Sequence, residues 1–99
     1  DIAKFANKEN WSVNCDYHFG GYGKVTDQLI DFINNFYLEH HVHLDPIYTG
    51  KMMFGIMNLI ENNYFPSNSK ILAIHTGGLQ GIAGMNKALE KKGKTKIII

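Results

Sequence analysis

Apolar side chains recur at helical spacing in three stretches of the chain. The first predicted helix covers about residues 27–39 and follows Thr26, a residue type that accepts hydrogen bonds from the free amides of a helix start. The second helix begins at Thr49 or Gly50, and the third covers residues 79–91. The apolar faces of the first two helices are carried by Leu29, Ile30, Ile33, Phe36 and Tyr37, and by Met53, Ile56, Met57 and Ile60.

Four shorter stretches carry the pattern of β-strands. Residues 11–17 alternate between apolar and polar side chains, residues 41–44 form a short run, and residues 70–75 are almost continuously apolar. Residues 95–99 are either a last strand or an apolar tail. Strands that alternate with helices are typical of a parallel sheet with helices on both faces. The sequence therefore predicts a three-layer α/β fold with a mainly parallel sheet, formed by residues 1–99 as one segment.

Composition limits the classes of protein and partner. Hydrophobic residues make up 44% and charged residues 19% of the 99 residues, as in a folded globular protein. The formal net charge is only +1 and all ten basic residues are Lys, so neither a nucleic acid nor an anionic membrane is predicted as a partner. One cysteine excludes an internal disulfide, and no signal-peptide pattern is visible, so the cytoplasm is the expected location.

A group of histidines near the end of the first predicted helix invites a metal interpretation. His40, His41 and His43 lie close to Asp45, and imidazole with carboxylate suits zinc or iron. However, a histidine at a helix C-terminus is favourable because of the helix dipole alone. Neither a cysteine nor a glutamate lies at ligand spacing, and no metal site is predicted.

The turns that follow the predicted strands carry the candidate chemistry. In a parallel sheet these turns share one edge, which would bring Tyr22, Tyr48, Thr49 and Thr76 around one cleft. Gly77-Gly78 allows the backbone to approach a ligand there, and the next helix points free amides at it. Each tyrosine alone fits an amphipathic boundary position equally well. A non-catalytic α/β domain that binds a ligand through the same turns is the alternative to an enzyme.

Three segments together resemble the pyridoxal-phosphate enzymes of the 1-aminocyclopropane-1-carboxylate deaminase and D-cysteine desulfhydrase family. They are residues 21–23 (GYG), residues 44–53 (LDPIYTGKMM) and residues 71–78 (ILAIHTGG), in the order that the family has them. The resemblance covers most of this chain but only about the C-terminal third of a family member. It implies the C-terminal portion of the large domain of a fold type II enzyme, with pyridoxal 5'-phosphate as cofactor in the full-length parent.

The same resemblance implies what the chain lacks. The Schiff-base lysine and the phosphate-binding loop of the family belong to the N-terminal part, and the sequence begins at Asp1 rather than Met. Lys51 lies on the first turn of a helix and is interpreted as structural. The isolated chain is therefore expected to be inactive, and the parent enzyme is expected to be a homodimer with a small amino acid as substrate.

Roles for single residues also follow from the resemblance. Tyr22 and Tyr48 match the two catalytic tyrosines beside the substrate, while Thr49, Thr76 and the Gly77-Gly78 turn match cofactor-binding positions. Thr49 stands where the deaminases carry glutamate and Thr76 where they carry leucine. A neutral hydroxyl makes the cofactor ring a weaker electron sink than a carboxylate does, which suits elimination of a good leaving group. D-cysteine desulfhydrase is thus the predicted activity, and 1-aminocyclopropane-1-carboxylate deaminase is the alternative.

Overall fold

The structure is a computed structural model that describes residues 12–99. Within that range the chain forms helix α1 (Asp27–His40), helix α2 (Thr49–Glu61), a 3-10 turn (Leu79–Gly81) and helix α3 (Ile82–Lys91). These elements correspond to the three predicted helices, except that the third begins with the 3-10 turn. No helix among the described residues is long and apolar enough to cross a membrane.

Helix α1 begins and ends where its sequence supplies caps. Thr26 is extended, and its hydroxyl accepts a hydrogen bond from the Leu29 amide at 3.2 Å. At the other end His41 takes a left-handed conformation with φ 57°, and its amide donates to the Tyr37 carbonyl at 2.8 Å. A left-handed residue after the last turn is a common way to end a helix, because it satisfies carbonyls that have no partner within the helix.

The core lies between the helices and the segments that connect them. Its members are fully or almost fully buried aliphatic side chains: Leu29, Ile30, Ile33, Leu44, Ile82, Leu89 and Ile97. Helices α1 and α2 approach closely because α2 has a glycine at the crossing. A Cβ on Gly50 would lie 2.8 Å from the Ile33 side chain, so any larger residue there would push the helices apart.

The predicted three-layer α/β fold with a parallel sheet, as in a fold type II large domain, is wrong for the described residues. Residues 12–99 contain no β-strand, and Trp11 of the first predicted strand lies outside that range. Residues 41–44, 70–75 and 95–99 are apolar but have no strand partner. In the stretch 70–75 the side chains of Leu72 and Ile74 are 86% and 66% exposed.

The physical reason is that a strand needs a second backbone beside it, whereas side-chain pattern records only which positions are apolar. In residues 96–98, asparagine side chains instead of a neighbouring strand form hydrogen bonds with the backbone amides and carbonyls. Asn34 on α1 accepts from the Ile98 amide at 2.8 Å and donates to the Lys96 carbonyl at 2.9 Å. Asn86 on α3 accepts from the Ile97 amide and donates to its carbonyl, at 2.8 and 2.9 Å. The C-terminal segment is therefore attached to two helices through asparagine amides.

Candidate functional site

Two exposed tyrosines form the centre of the site. Tyr22 lies in the glycine-rich turn before α1 and Tyr48 directly precedes α2, yet their hydroxyl oxygens are 3.3 Å apart. The Tyr48 hydroxyl donates to Tyr22, and the two rings meet edge to face with centroids 6.2 Å apart. The hydrogen bond with Tyr22 raises the pKa of Tyr48, and the negative charge of Asp45 adds to the shift. The Tyr48 phenol therefore keeps its proton at neutral pH.

A buried carboxylate fixes the position of Tyr48. Asp45 is 2% exposed, and one of its oxygens accepts from the amides of Ile47 and Tyr48 at 2.8 and 2.7 Å. The other oxygen accepts from the Thr49 amide at 2.8 Å and from the Thr49 hydroxyl at 2.6 Å. Asp45 thus caps the start of α2, where free amides and the helix dipole both favour a negative charge.

Thr49, predicted to bind the cofactor, lies at the site but its hydroxyl is already used. The side chain is 2% exposed. Its hydroxyl donates to the Asp45 carboxylate and accepts from the Asp45 amide at 2.9 Å. Both the proton and an acceptor lone pair are therefore engaged in holding the turn between Asp45 and α2. This arrangement supports the turn rather than a ligand.

The segment after residue 75 approaches the same carboxylate from the other side. Thr76 is exposed, and Gly77 and Gly78 take φ values of +90° and +81° that favour glycine. A Cβ on Gly78 would lie 3.4 Å from the Asp45 carboxylate, so the loop passes directly over the cap of α2.

His75 holds this loop on the residue 41–44 segment. Its Nδ1 accepts from the Gly77 amide at 3.0 Å, which places the proton on Nε2 to donate to the His43 carbonyl at 2.7 Å. The His75 ring therefore connects two segments that were both predicted to be strands.

An apolar groove of about 560 Å³ runs beside these residues. Tyr48, Thr49 and Thr76 line it, and Tyr22 reaches it through the hydroxyl contact with Tyr48. Most of the other lining side chains are apolar: Ile47, Met52, Ile56, Leu59 and Ile74. None of the described residues that line the groove is acidic. The structure thus gathers Tyr22, Tyr48, Thr49 and Thr76, and of the two glycines after Thr76 it places Gly78 against Asp45.

Lys51 contributes a contact that sequence reasoning missed. The side chain is 8% exposed, and its Nζ donates to the carbonyls of His18 and Gly21 at 2.8 and 3.0 Å. Burial lowers the pKa of this ammonium group. The role of Asp45 was missed as well, although an Asp-Pro pair four residues before Thr49 is a capping signal that could have revealed it.

The histidine group near α1 is dispersed among aromatic contacts. His40 packs on Phe36 with ring centroids 4.6 Å apart, and His43 stacks on Tyr37 at 4.0 Å. Asp45 points into the cap of α2 instead. No cluster of three potential ligands is present among the described residues.

Similarity to known proteins is confined to part of the chain. The provisionally named 1-aminocyclopropane-1-carboxylate deaminases of Pyrococcus furiosus and Pyrococcus horikoshii are 42% and 41% identical over 66 residues, which is 67% of this chain and 20% of each relative. The 1-aminocyclopropane-1-carboxylate deaminase of Rhizobium rhizogenes is 36% identical over 69 residues, 70% of this chain and 20% of the relative. The chain thus matches about a fifth of the length of these relatives. No family model matches, and no solved structure matches.

Proposed function

The matched two thirds of this chain belong to the 1-aminocyclopropane-1-carboxylate deaminase family, and from that premise we propose that the chain is part of a pyridoxal-phosphate enzyme acting on a small amino acid. The structural feature that best supports this proposal is the tyrosine pair at the mouth of an apolar groove. Two phenols within hydrogen-bond distance can hold and pass a proton between them. The catalytic residues in this proposal are Tyr22 and Tyr48.

The residues of the groove fit pyridoxal phosphate in part. Thr76 is exposed on the groove and offers a hydroxyl to the ring nitrogen of such a cofactor, and the adjoining glycines leave the approach open. Thr49 does not fit as a direct ligand, because its hydroxyl is engaged with Asp45. We therefore assign cofactor contact to Thr76 with the Gly77-Gly78 turn, and support of the turn to Thr49. When bound, the cofactor supplies an electron sink for the bonds around the substrate α-carbon.

The observation that carries the choice of reaction is the absence of an acidic residue from the described lining of the groove. The Asp45 carboxylate is hydrogen-bonded to Thr49, which lines the groove, and the amides of Ile47, Tyr48 and Thr49 with the Thr49 hydroxyl occupy both of its oxygens. A ring nitrogen that meets only a hydroxyl is a weaker sink, which suffices when the leaving group is good. We propose elimination from D-cysteine, in which the Cα–H and Cβ–S bonds break, a Cα–Cβ double bond forms, and addition of one water then gives hydrogen sulfide, pyruvate and ammonia.

Tyr48 has the proton that this elimination requires. Its hydroxyl is protonated at neutral pH and donates to Tyr22 in the structure. In the proposed reaction the Tyr48 hydroxyl gives this proton to the departing sulfur, and the proton lost from Cα returns to Tyr48 through Tyr22, so that both phenols are protonated again. A proton delivered to a leaving group in this way typically contributes a rate factor of about 10² to 10⁴.

Opening of the 1-aminocyclopropane-1-carboxylate ring with release of ammonia is the second candidate. It is supported by the names of the relatives, including the Rhizobium rhizogenes protein that is 36% identical over 69 residues. In that reaction the departing group is carbon, which is a poor leaving group and places a greater demand on the electron sink. A homodimeric enzyme remains a prediction from the family resemblance, and a cytoplasmic location remains a prediction from the sequence pattern.

Substrate assays on the full-length protein with pyridoxal phosphate test the proposal. We expect sulfide and pyruvate from D-cysteine at a higher kcat/KM than the formation of keto acid from 1-aminocyclopropane-1-carboxylate. Tyr48→Phe is expected to lower kcat by about 10² or more, because it removes the donated proton. Tyr64→Phe is the matched control, since Tyr64 is also exposed but packs beside Phe65 away from the groove.

Three results would contradict the proposal. Turnover of the cyclopropane substrate without sulfide release would assign the second candidate. Unchanged activity of Tyr48→Phe on both substrates would show that the tyrosine pair takes no part in the reaction. Turnover of neither substrate, with a ligand still bound, would favour the non-catalytic binding domain.

A further inference from the structure

We infer that Lys51 is a positioning residue that holds the Tyr22 turn against Tyr48 through the carbonyls of His18 and Gly21. The inference rests on the contacts of one buried ammonium group. Its consequence for catalysis depends on the proposed function, whereas its consequence for the geometry of the tyrosine pair does not.

The partners of Lys51 are unusual for a lysine that is buried. An ammonium group taken out of water is costly unless hydrogen bonds or an opposite charge replace its hydration. Among the described residues Lys51 has no carboxylate partner in an ion pair, and two backbone carbonyls at 2.8 and 3.0 Å take that place. A neutral residue would serve packing alone without the cost of desolvating a charge. The ammonium charge of Lys51 is therefore explained by its hydrogen bonds to the carbonyls of His18 and Gly21.

The two carbonyls are the acceptors of two consecutive turns, residues 18–21 and 21–24. The His18 carbonyl also accepts from the Gly21 amide at 3.1 Å, and the Gly21 carbonyl also accepts from the Lys24 amide at 3.1 Å. Each carbonyl thus closes one turn and binds Lys51 Nζ with its remaining lone pair. Tyr22 lies within the second of these turns.

The turn needs an external anchor because its glycines restrict it little. Gly20, Gly21 and Gly23 have φ values of +97°, +121° and +72°, which glycine reaches at no steric cost but also leaves easily in the unfolded chain. Side-chain packing around the turn comes mainly from Phe19, which meets Phe54 on α2 edge to face at 4.9 Å. That contact lies before the turn and leaves the orientation of Tyr22 to the backbone.

Lys51 is well placed to relate the two tyrosines because it belongs to the same rigid element as Tyr48. It is the third residue of α2, and Tyr48 directly precedes the helix with its amide fixed by Asp45. The Lys51 contact therefore connects the Tyr22 turn to the helix that carries the other phenol. Without the ammonium group, the 3.3 Å contact between the hydroxyls would depend on the glycine turn and on the edge-to-face contact of the two rings.

Nuclear magnetic resonance of full-length protein labelled at the tyrosine ζ-carbon tests this inference. In the unaltered protein we expect Tyr48 to ionise above the ordinary value of about 10, because of the hydrogen bond with Tyr22. Lys51→Met preserves much of the side-chain length but removes the donors, and it should return the Tyr48 titration towards the ordinary value, as Tyr22→Phe should. Lys87→Met is the matched control, because Lys87 is exposed on α3, and it should leave the titration unchanged.

The outcomes separate this inference from the proposed function. An unchanged Tyr48 titration in folded Lys51→Met would overturn the inference, whichever substrate the enzyme uses. If Lys51→Met does not fold, Lys51→Gln retains an uncharged NH2 donor group on a shorter side chain and should shift the Tyr48 titration in the same direction by less. In the unaltered protein, slow exchange of the Lys51 ammonium protons with solvent is expected by ¹⁵N spectroscopy, and fast exchange would also overturn the inference. Activity should fall as far in Lys51→Met as in Tyr22→Phe, with no further loss when the two are combined.

Discussion

Removal of the Asp45 carboxylate should loosen the start of α2 more than any other change at the site. Asp45→Ala leaves the amides of Ile47, Tyr48 and Thr49 without their acceptor, together with the Thr49 hydroxyl. Each hydrogen bond to a charged acceptor contributes about 1.5–3 kcal/mol when considered alone. Loss of an N-cap costs only about 0.5–2 kcal/mol, because burying the carboxylate offsets much of that gain. We expect Asp45→Ala to lower the local stability of the start of α2 by about 2 kcal/mol, near the upper end of this range, since the site is buried.

Native-state hydrogen exchange of the full-length protein measures this loss locally. A change of about 2 kcal/mol corresponds to roughly thirtyfold faster exchange of the amides of residues 47–49, where opening is local. Asp31→Ala is the control, because Asp31 is an exposed carboxylate on α1 and should change exchange there by less than about twofold. Exchange of residues 47–49 that stays within twofold of the unaltered protein in Asp45→Ala would refute the capping role.

The same carboxylate predicts a dependence on pH with a definite sign. Burial alone would raise the pKa of Asp45, but the hydrogen bonds from the Thr49 side chain and three backbone amides outweigh it and hold the pKa below 3.8. A carboxyl whose pKa is lower in the folded state stabilises that state above its unfolded pKa and loses the effect as pH falls through the folded pKa. The protection of the amides of residues 47–49 from hydrogen exchange should therefore decline below about pH 4. In Asp45→Asn this decline should be absent.

Two further pairs of substitutions test the packing, each by thermal unfolding. Gly50→Ala should lower the free energy of unfolding by about 1–3 kcal/mol, because its Cβ would lie 2.5 Å from the Asp45 carbonyl oxygen. Gly84→Ala on α3 has open space around the new Cβ and should raise the free energy of unfolding by up to about 1 kcal/mol. Equal effects of the two substitutions would contradict the proposed helix crossing. Ile97→Ala should cost about 2–5 kcal/mol because Ile97 is 3% exposed, while Ile99→Ala, which is 80% exposed, should cost less than about 0.5 kcal/mol. A similar cost for both would show that the C-terminal segment is not packed in this way.

The helices were predictable because their signals are local. The Thr26 hydroxyl and the apolar spacing around Ile33 determine α1 within one stretch of chain, and the structure has the helix at Asp27–His40. Helix α2 begins at Thr49, as the sequence indicated. Turn glycines at positions 77 and 78 were also recognisable, since both have the positive φ that their residue type allows.

The sheet was not predictable, because pairing depends on a second segment of backbone. The stretch 70–75 has the composition of a buried strand, yet Leu72 is 86% exposed and no described strand lies beside it. Predictions for the site rested on family resemblance and on turns sharing a sheet edge. The structure does bring Tyr22 and Tyr48 together without that sheet, through a lysine and an aspartate whose partners are backbone atoms. The Lys51 contacts span about 30 residues and leave no spacing rule in a sequence, whereas the Asp45 contacts are local and have the Asp-Pro signal before Thr49.

The two asparagines that hold the C-terminal segment make the protein vulnerable to chemical ageing. Each amide must donate through its nitrogen and accept through its oxygen at the same time, as Asn34 does with Lys96 and Ile98. Asparagine that loses its amide nitrogen by hydrolysis becomes aspartate, which can accept but cannot donate when ionised. At Asn34 or Asn86 that reaction would place a carboxylate against a backbone carbonyl and turn an attractive contact into a repulsive one. Aspartate at either position would therefore weaken the attachment of the C-terminal segment that places Ile97 in the core.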